Sequence, residues 1–292
     1  MDLTNIGIVR ELMNRHGVKF QKKYGQNFLI NKDVPYRIAQ ECGAGEEDCI
    51  LEIGPGIGTL TQELCRIAKK VAAVEIDKGL IPILDQTLSE FDNVEIINSD
   101  ILKTDIKKLI EDRFEKRNVY VCANLPYYVT TPILMFLLES QLPFKKMTFM
   151  VQKEVADRLC ALPNESEYGA VTASVNYYGE IKKLFNVSAG NFMPAPKVDS
   201  AVIQISLYEK PPVSLEDEKL FFSIIKAAFE QRRKTLVNAL NGKVKITKQE
   251  IAEAVKKTGL DENVRGEKLG IEEFAALSNV IKEMQKTNNT KP

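Results

Sequence analysis

The sequence predicts an open, mostly parallel α/β sheet followed by a small all-helical region. Three observations carry this. At 49–68 an apolar strand runs into a glycine-rich turn and then into a helix with apolar residues at helical spacing. Strand-like and helix-like segments then alternate to residue 152. Beyond KPPV at 210–213, every segment has the 3.6-residue period.

The stretch LEIGPGIGTL at 51–60 organises the rest. Strand, glycine turn and helix open a nucleotide-binding sheet. The next strand, 71–75, ends in Glu75. Its distance from Gly54 is close to the roughly 20 residues expected when a strand-end carboxylate takes a ribose diol. Gly54, Gly56 and Gly58 give G-x-G-x-G, with Thr59 where a dinucleotide fingerprint has its third glycine. No Lys-Ser or Lys-Thr follows, so a P-loop is also excluded. The pattern suits a nucleoside cofactor without a pyrophosphate, approached closely by backbone at Gly54 and Gly56.

Composition sets wide bounds. A chain of 292 residues, 44% hydrophobic and 27% charged, can bury a full core. Forty Lys and Arg balance forty Asp and Glu, so only local patches would mark a polyanionic partner. Five scattered cysteines without a C-x-x-C pair, and one histidine, argue against a disulfide frame or a metal site. The N-terminus lacks a secretory pattern, and no apolar run reaches the roughly 18 residues of a membrane span. A cytoplasmic monomer without membrane contact is expected.

In order, 1–18 reads as an arm with a helix from Asn5 to Met13, and His16 as a surface or capping residue. At 19–30, Lys22 and Lys23 alternate with Phe20, Tyr24 and Phe28. That mix suits a nucleic-acid backbone with a stacked base, or a solvated turn anchored by its aromatics. Asn31 or Asp33 caps a helix to about Gln40, with Pro35 in its first turn. Strand 49–53 and its helix to about Lys69 precede strand 71–75, a helix at 78–88 and strand 94–97. Asp100, just past that strand, faces the ligand crevice and accepts from an adenine amino group, or is a turn residue.

The strand from Val119 delivers Asn124, Leu125, Pro126 and Tyr127 to the same edge. These residues fit methylation of an exocyclic adenine amine. That nitrogen is a poor nucleophile because its lone pair is delocalised into the ring. The Asn124 carbonyl, with the Leu125 or Pro126 backbone carbonyl, would accept its two N–H groups and turn the lone pair outward. Tyr127 offers a stacking face worth about 1–3 kcal/mol.

Thr130 or Thr131 then caps a helix, strand 145–152 follows, and 153–161 is helical. Residues 163–169 form a loop, while 172–178 and 184–187 read as extended. A proline-stiffened loop at 191–200 holds Phe192, either a core plug or a second wall of the base pocket. Strand 201–207 follows. After the linker 210–214 come helices at about 216–228, 231–241, 247–257 and 271–284, then a polar tail expected to fray from Gln285. Lys226, Arg232, Arg233 and Lys234 form the most basic face, suited to backbone phosphates or simply solvated.

GQNFL at 25–29, EIGPGIGTL at 52–60, EID at 75–77, NLPY at 124–127, FMPAPKVDS at 192–200 and FEQRRKTL at 229–236 complete a pattern. Through these the chain resembles the ribosomal RNA small-subunit adenine dimethyltransferases over nearly its whole length. The resemblance implies a seven-stranded Rossmann-like class I methyltransferase sheet, order 3-2-1-4-5-7-6 with the last strand antiparallel. It implies a methyltransferase domain at 19–209 and a small all-helical C-terminal domain at 215–292. It also implies S-adenosyl-L-methionine as cofactor, held at Asn27, Leu29, Gly54, Glu75, Asp100 and Asn124, with Phe192 packed near the target base. The implied substrate is two adjacent adenosines near the 3′ end of 16S rRNA, with a checkpoint role in small-subunit assembly. The related large-subunit methyltransferase of macrolide resistance shares the chemistry, but the helical tail and the 229–236 motif favour the small-subunit enzyme. A non-catalytic RNA-binding assembly factor is the alternative of a different class. DNA or protein amino methylation fits less well, since those enzymes carry proline where this chain has Leu125.

Overall fold

The computed structural model describes residues 1–18 and 25–289. Seven strands form the main sheet: β2 (Cys49–Ile53), β3 (Lys70–Glu75), β4 (Val94–Asn98), β5 (Val119–Asn124), β6 (Phe144–Gln152), β7 (Gly179–Val187) and β9 (Ser200–Leu207). Their order is β4-β3-β2-β5-β6-β9-β7. Strands β2 to β6 pair in parallel, and β9 runs antiparallel to β6. This is the expected order, with the last strand antiparallel. A two-stranded ribbon pairs β1 (Phe28–Leu29) antiparallel with β8 (Phe192–Met193). The central strands are buried on both faces, as helical crossovers require: every residue of β2 is buried.

The chain divides into two compact units. One comprises Met1–Ala156 and Ile181–Leu207; the other comprises Asp157–Glu180 and Tyr208–Pro292. Helices α1 (Ile6–Arg15), α2 (Asp33–Cys42), α3 (Thr59–Ile67), α4 (Ile81–Thr87), α5 (Ile106–Phe114) and α6 (Thr130–Glu139) belong to the first unit. Asn5 caps α1 by accepting from Gly7 N at 2.9 Å. Its buried face, Val9, Leu12 and Met13, packs with Phe28, Ile57, Leu80 and Ile83, so the N-terminal arm braces the glycine turn. His16 closes α1, and its Nε2 lies 2.8 Å from Gln86 Oε1, a structural role. Asn31 Oδ1 accepts from Asp33 N at 3.0 Å just ahead of α2, but the capping position is Lys32, which makes no side-chain capping bond, so neither Asn31 nor Asp33 is the cap. Neither threonine caps α6: the capping position is Val129, and Thr130 Oγ1 donates to the Pro126 carbonyl instead. Cys42, Cys49, Cys65 and Cys122 are buried thiols and Cys160 is half-buried. Among the described residues no cluster could hold a metal ion, and no helix is long and apolar enough to cross a membrane.

The second unit contains α8 (Ala170–Tyr178), α9 (Glu218–Glu230), α10 (Leu236–Leu240), α11 (Lys248–Lys257) and α12 (Ile271–Asn289). A short helix, α7 (Lys153–Leu159), precedes α8 at the point where the chain passes between units. The expectation of an extended 172–178 is corrected: this β-branched and aromatic stretch is α8. Packing overrides propensity there, because Tyr177 meets Phe221 at 5.4 Å between ring centroids. The helix expected at 231–241 shrinks to α10, capped by Thr235. The tail does not fray at Gln285. It stays helical to Asn289, with Lys286 paired to Glu216 and Asn288 Nδ2 donating to Glu250.

Gly266 lies against α9 with no room for a methyl group. A Cβ there would sit 2.7 Å from Ala228 Cβ and 3.2 Å from the Ala228 carbonyl. Gly266→Ala is therefore expected to destabilise the fold by about 1–3 kcal/mol, read from urea unfolding. An unchanged midpoint would contradict this packing.

Candidate active site

The carboxyl ends of β2, β3 and β5 open on one cavity of about 810 Å³, counting its mouth. Its walls are the 25–29 segment, the turn after β2, the end of β3 and residues 124–128. Ligand sites of open α/β sheets sit at this edge.

The glycine turn is shaped by positive φ at Gly54, Gly56 and Gly58. At Gly56 two constraints meet: φ is +64°, and a Cβ would lie 3.1 Å from the Phe28 ring. Gly54 N donates to the Val74 carbonyl at 2.9 Å, tying the turn to β3. Thr87 Oγ1 donates to the Ile57 carbonyl at 2.9 Å, tying it to α4.

Glu75 ends β3 and is 4% exposed. Gly56 N donates to its Oε2 at 3.1 Å and Asp77 N to its Oε1 at 2.7 Å. Each carboxylate oxygen retains a lone pair for a further donor. Burial pushes its pKa up to about 7. Glu52, at the end of β2, also lines the cavity and is 1% exposed. Among the described residues its Oε2 has no hydrogen-bond partner. Burial, with the Thr61 hydroxyl beside it opposing and the Glu75 carboxylate adding, pushes the Glu52 pKa to about 8. A buried carboxylate oxygen without a partner, facing a cavity, is complementary to a cationic ligand.

On the opposite wall, Asn124 Nδ2 donates to the Asn27 carbonyl at 3.4 Å, which leaves Oδ1 as the acceptor. The Pro126 carbonyl already receives Val129 N at 3.1 Å and Thr130 Oγ1 at 3.2 Å. Leu125, the other backbone acceptor considered, lines the same cavity. Tyr127 OH and Ser200 Oγ are 2.7 Å apart, which fixes the ring; burial raises the phenol pKa.

The structure thus gathers Asn27, Leu29, Gly54, Glu75, Asn124, Leu125, Pro126 and Tyr127 around one cavity. It does not bring Asp100 or Phe192 to that wall. Asp100 caps the turn after β4, accepting from Leu102 N at 3.1 Å, with Lys103 Nζ 3.7 Å away. Phe192 is 3% exposed within a core that includes Leu29, Ile38 and Val202, so its ring is the core plug, drawn inward by β1–β8 pairing. Lys22 and Lys23 lie outside the described residues. Arg232 is engaged within its own unit: Nη2 donates to the carbonyls of Ser166 at 2.8 Å and Tyr168 at 3.1 Å. Lys226, Arg233 and Lys234 are exposed. The sequence reading gave no role to Glu52, though it carries the signal used for Glu75: an acid at a strand's carboxyl end.

Glu52 and Glu75 hold protons in the folded chain that an unfolded chain releases near the ordinary carboxylate value of 4.5. Stability of the ligand-free protein should therefore fall as pH rises from about 5 to 8, by on the order of a few kcal/mol. Glu52→Gln should flatten that slope and raise the melting temperature at pH 8. Urea unfolding at pH 5.5 and 8 tests this; an equal slope in both proteins would contradict it.

A family model described as ribosomal RNA adenine dimethylase matches residues 17–283. Ribosomal RNA small subunit methyltransferase A of Alkaliphilus oremlandii is 51% identical over 271 residues, covering 92% of this chain and 94% of that protein. The protein of the same name from Clostridioides difficile is 46% identical, covering 96% of each. Among solved structures, a dimethyladenosine transferase from Plasmodium falciparum superposes with a TM-score of 0.76 at 25% identity, covering 89% of this chain and 98% of that one. The 23S rRNA methyltransferase ErmE shares the fold, with a TM-score of 0.67 at 24% identity, covering 88% of this chain and all of that one. On the family model and these identities, the chain belongs to the ribosomal RNA adenine dimethylase family.

Proposed function

We infer that this enzyme transfers methyl groups from S-adenosyl-L-methionine to N6 of two adjacent adenosines near the 3′ end of 16S rRNA. The product is dimethyladenosine in the small subunit or its assembly precursor. The observation that carries the reading is the single cavity with carboxylates on one side and an Asn124–Tyr127 acceptor wall on the other. The cofactor supplies an activated methyl on a sulfonium.

The residues present fit such a group. Glu75 has lone pairs for the two ribose hydroxyls, and the orphaned Glu52 oxygen suits the cofactor's positive charge. Gly54 and Asn27 bring backbone close to it. Asn124 Oδ1 and the Leu125 carbonyl accept the two N–H groups of the target amine, so its lone pair faces the donor. Tyr127 stacks on the base, which must leave its helix or loop to enter. Catalysis is alignment plus preorganised acceptors, and the amine sheds its proton after transfer. Asp100, which caps the turn after β4, accepts from the cofactor adenine amino group with the lone pairs that its capping bond leaves. Lys226, Arg233 and Lys234 are suited to backbone phosphates, which predicts a binding constant that falls with salt. The reading includes a monomer acting in the cytoplasm.

Asn124→Ala should cut turnover by about 100-fold or more while leaving cofactor affinity within a few-fold. Equal loss of both would reject its role. Glu75→Ala should instead weaken cofactor binding; an unchanged dissociation constant would reject the ribose assignment. Radiolabelled methyl transfer to small subunits lacking the modification, followed by nucleoside mapping, tests the whole reading. Dimethyladenosine at the adjacent pair is expected. Label confined to the large subunit, or binding without transfer, would overturn it.

A further inference from the structure

The 25–29 segment lines one wall of the cavity as a strap. Its far end is stitched down by Phe28–Met193 and Leu29–Phe192 pairing, and by Ile30 N donating to the Asn191 carbonyl at 2.9 Å. Its near end turns at Gly25, with φ +58°, against Pro126 and Tyr128. Between them, Gln26 Nε2 donates to Asp77 Oδ2 at 2.7 Å. That bond bridges from the strap to the end of β3. Asp77 is 4% exposed. Its Oδ1 accepts from Gly79 N at 3.0 Å, and its own N–H is the one that holds Glu75 Oε1. This short, charge-assisted bond joins the strap to the residue that orients the Glu75 carboxylate.

We propose that Gln26 is a positioning residue: its hydrogen bond to Asp77 latches the strap over the cavity and sets how long the cofactor stays bound. This rests on the cavity's being the cofactor's. The reaction gives the latch a purpose. Each dimethylated adenosine consumes two donors, so spent cofactor must leave and fresh cofactor enter between transfers. A strap held by backbone pairing at one end and by side-chain bonds along its middle, Gln26 to Asp77 and Asn124 to the Asn27 carbonyl, can open without unfolding the sheet. Backbone pairing at β1–β8 keeps its far end in place while it does.

The test is dissociation of S-adenosylhomocysteine from the full chain, followed by stopped flow, with the melting temperature of each ligand-free variant measured alongside. Gln26→Ala should release the ligand about tenfold faster, the loss expected for one bond to a charged group. Gln26→Glu sets two carboxylates together and should release it at least as fast at pH 8. Gln26→Glu/Asp77→Asn reverses donor and acceptor. The amide at 77 keeps an oxygen for Gly79 N and offers an N–H to the carboxylate at 26, so dissociation should return to within about threefold of wild type. A Gln26→Ala rate within twofold of wild type would overturn the latch. So would a reversed pair no slower than Gln26→Glu, or a lowered melting temperature with unchanged dissociation. Failure of the wild-type protein to bind S-adenosylhomocysteine would instead sink the cofactor reading itself.

Discussion

Glu75 is the point on which the site depends. Its two oxygens take N–H groups from Gly56 and Asp77, so one carboxylate joins the glycine turn to the end of β3. Burying it beside Glu52 is electrostatically costly, and both groups are pushed toward the neutral range. A fold selected for stability alone would not set two carboxylates at the mouth of a parallel sheet. The cost makes sense where a cationic, diol-bearing ligand completes the site.

The acceptor wall works by the same logic of using up what is not wanted. The Asn124 amide nitrogen is committed to the Asn27 carbonyl, and the Pro126 carbonyl is committed to Val129 and Thr130. That leaves Asn124 Oδ1 as an acceptor on the wall. An exocyclic amine needs acceptors and no strong base, so the wall's polarity matches the chemistry. The Tyr127–Ser200 contact holds the Tyr127 ring in place, and Ser200 starts β9, the antiparallel strand. Strand order thus reaches the site through one hydroxyl.

Much of this was legible in the sequence. The glycine spacing, the acid ending β3 and the NLPY stretch at 124–127 named the cavity's walls, because each is local chemistry at a strand end. What was not legible depended on partners far along the chain. Phe192 is drawn into the core by pairing with Leu29, a contact no local pattern announces. Arg232 looked like a free cation until Ser166 and Tyr168 took its guanidinium. Residues 172–178 carry strand propensity, and burial of Thr172, Ala173, Val175 and Tyr177, the last against Phe221, favours the helix instead. Glu52 was missed for a different reason: its strand reads as continuous apolar core, which hid a carboxylate inside it.

The most direct test of the account is a crystal structure with S-adenosylhomocysteine bound. The ribose hydroxyls should donate to Glu75, and the sulfur should face Asn124 Oδ1 across a gap that one methyl and one amine nitrogen fill. A sulfur directed away from Asn124, or a ribose held by anything other than Glu75, would contradict the central claim.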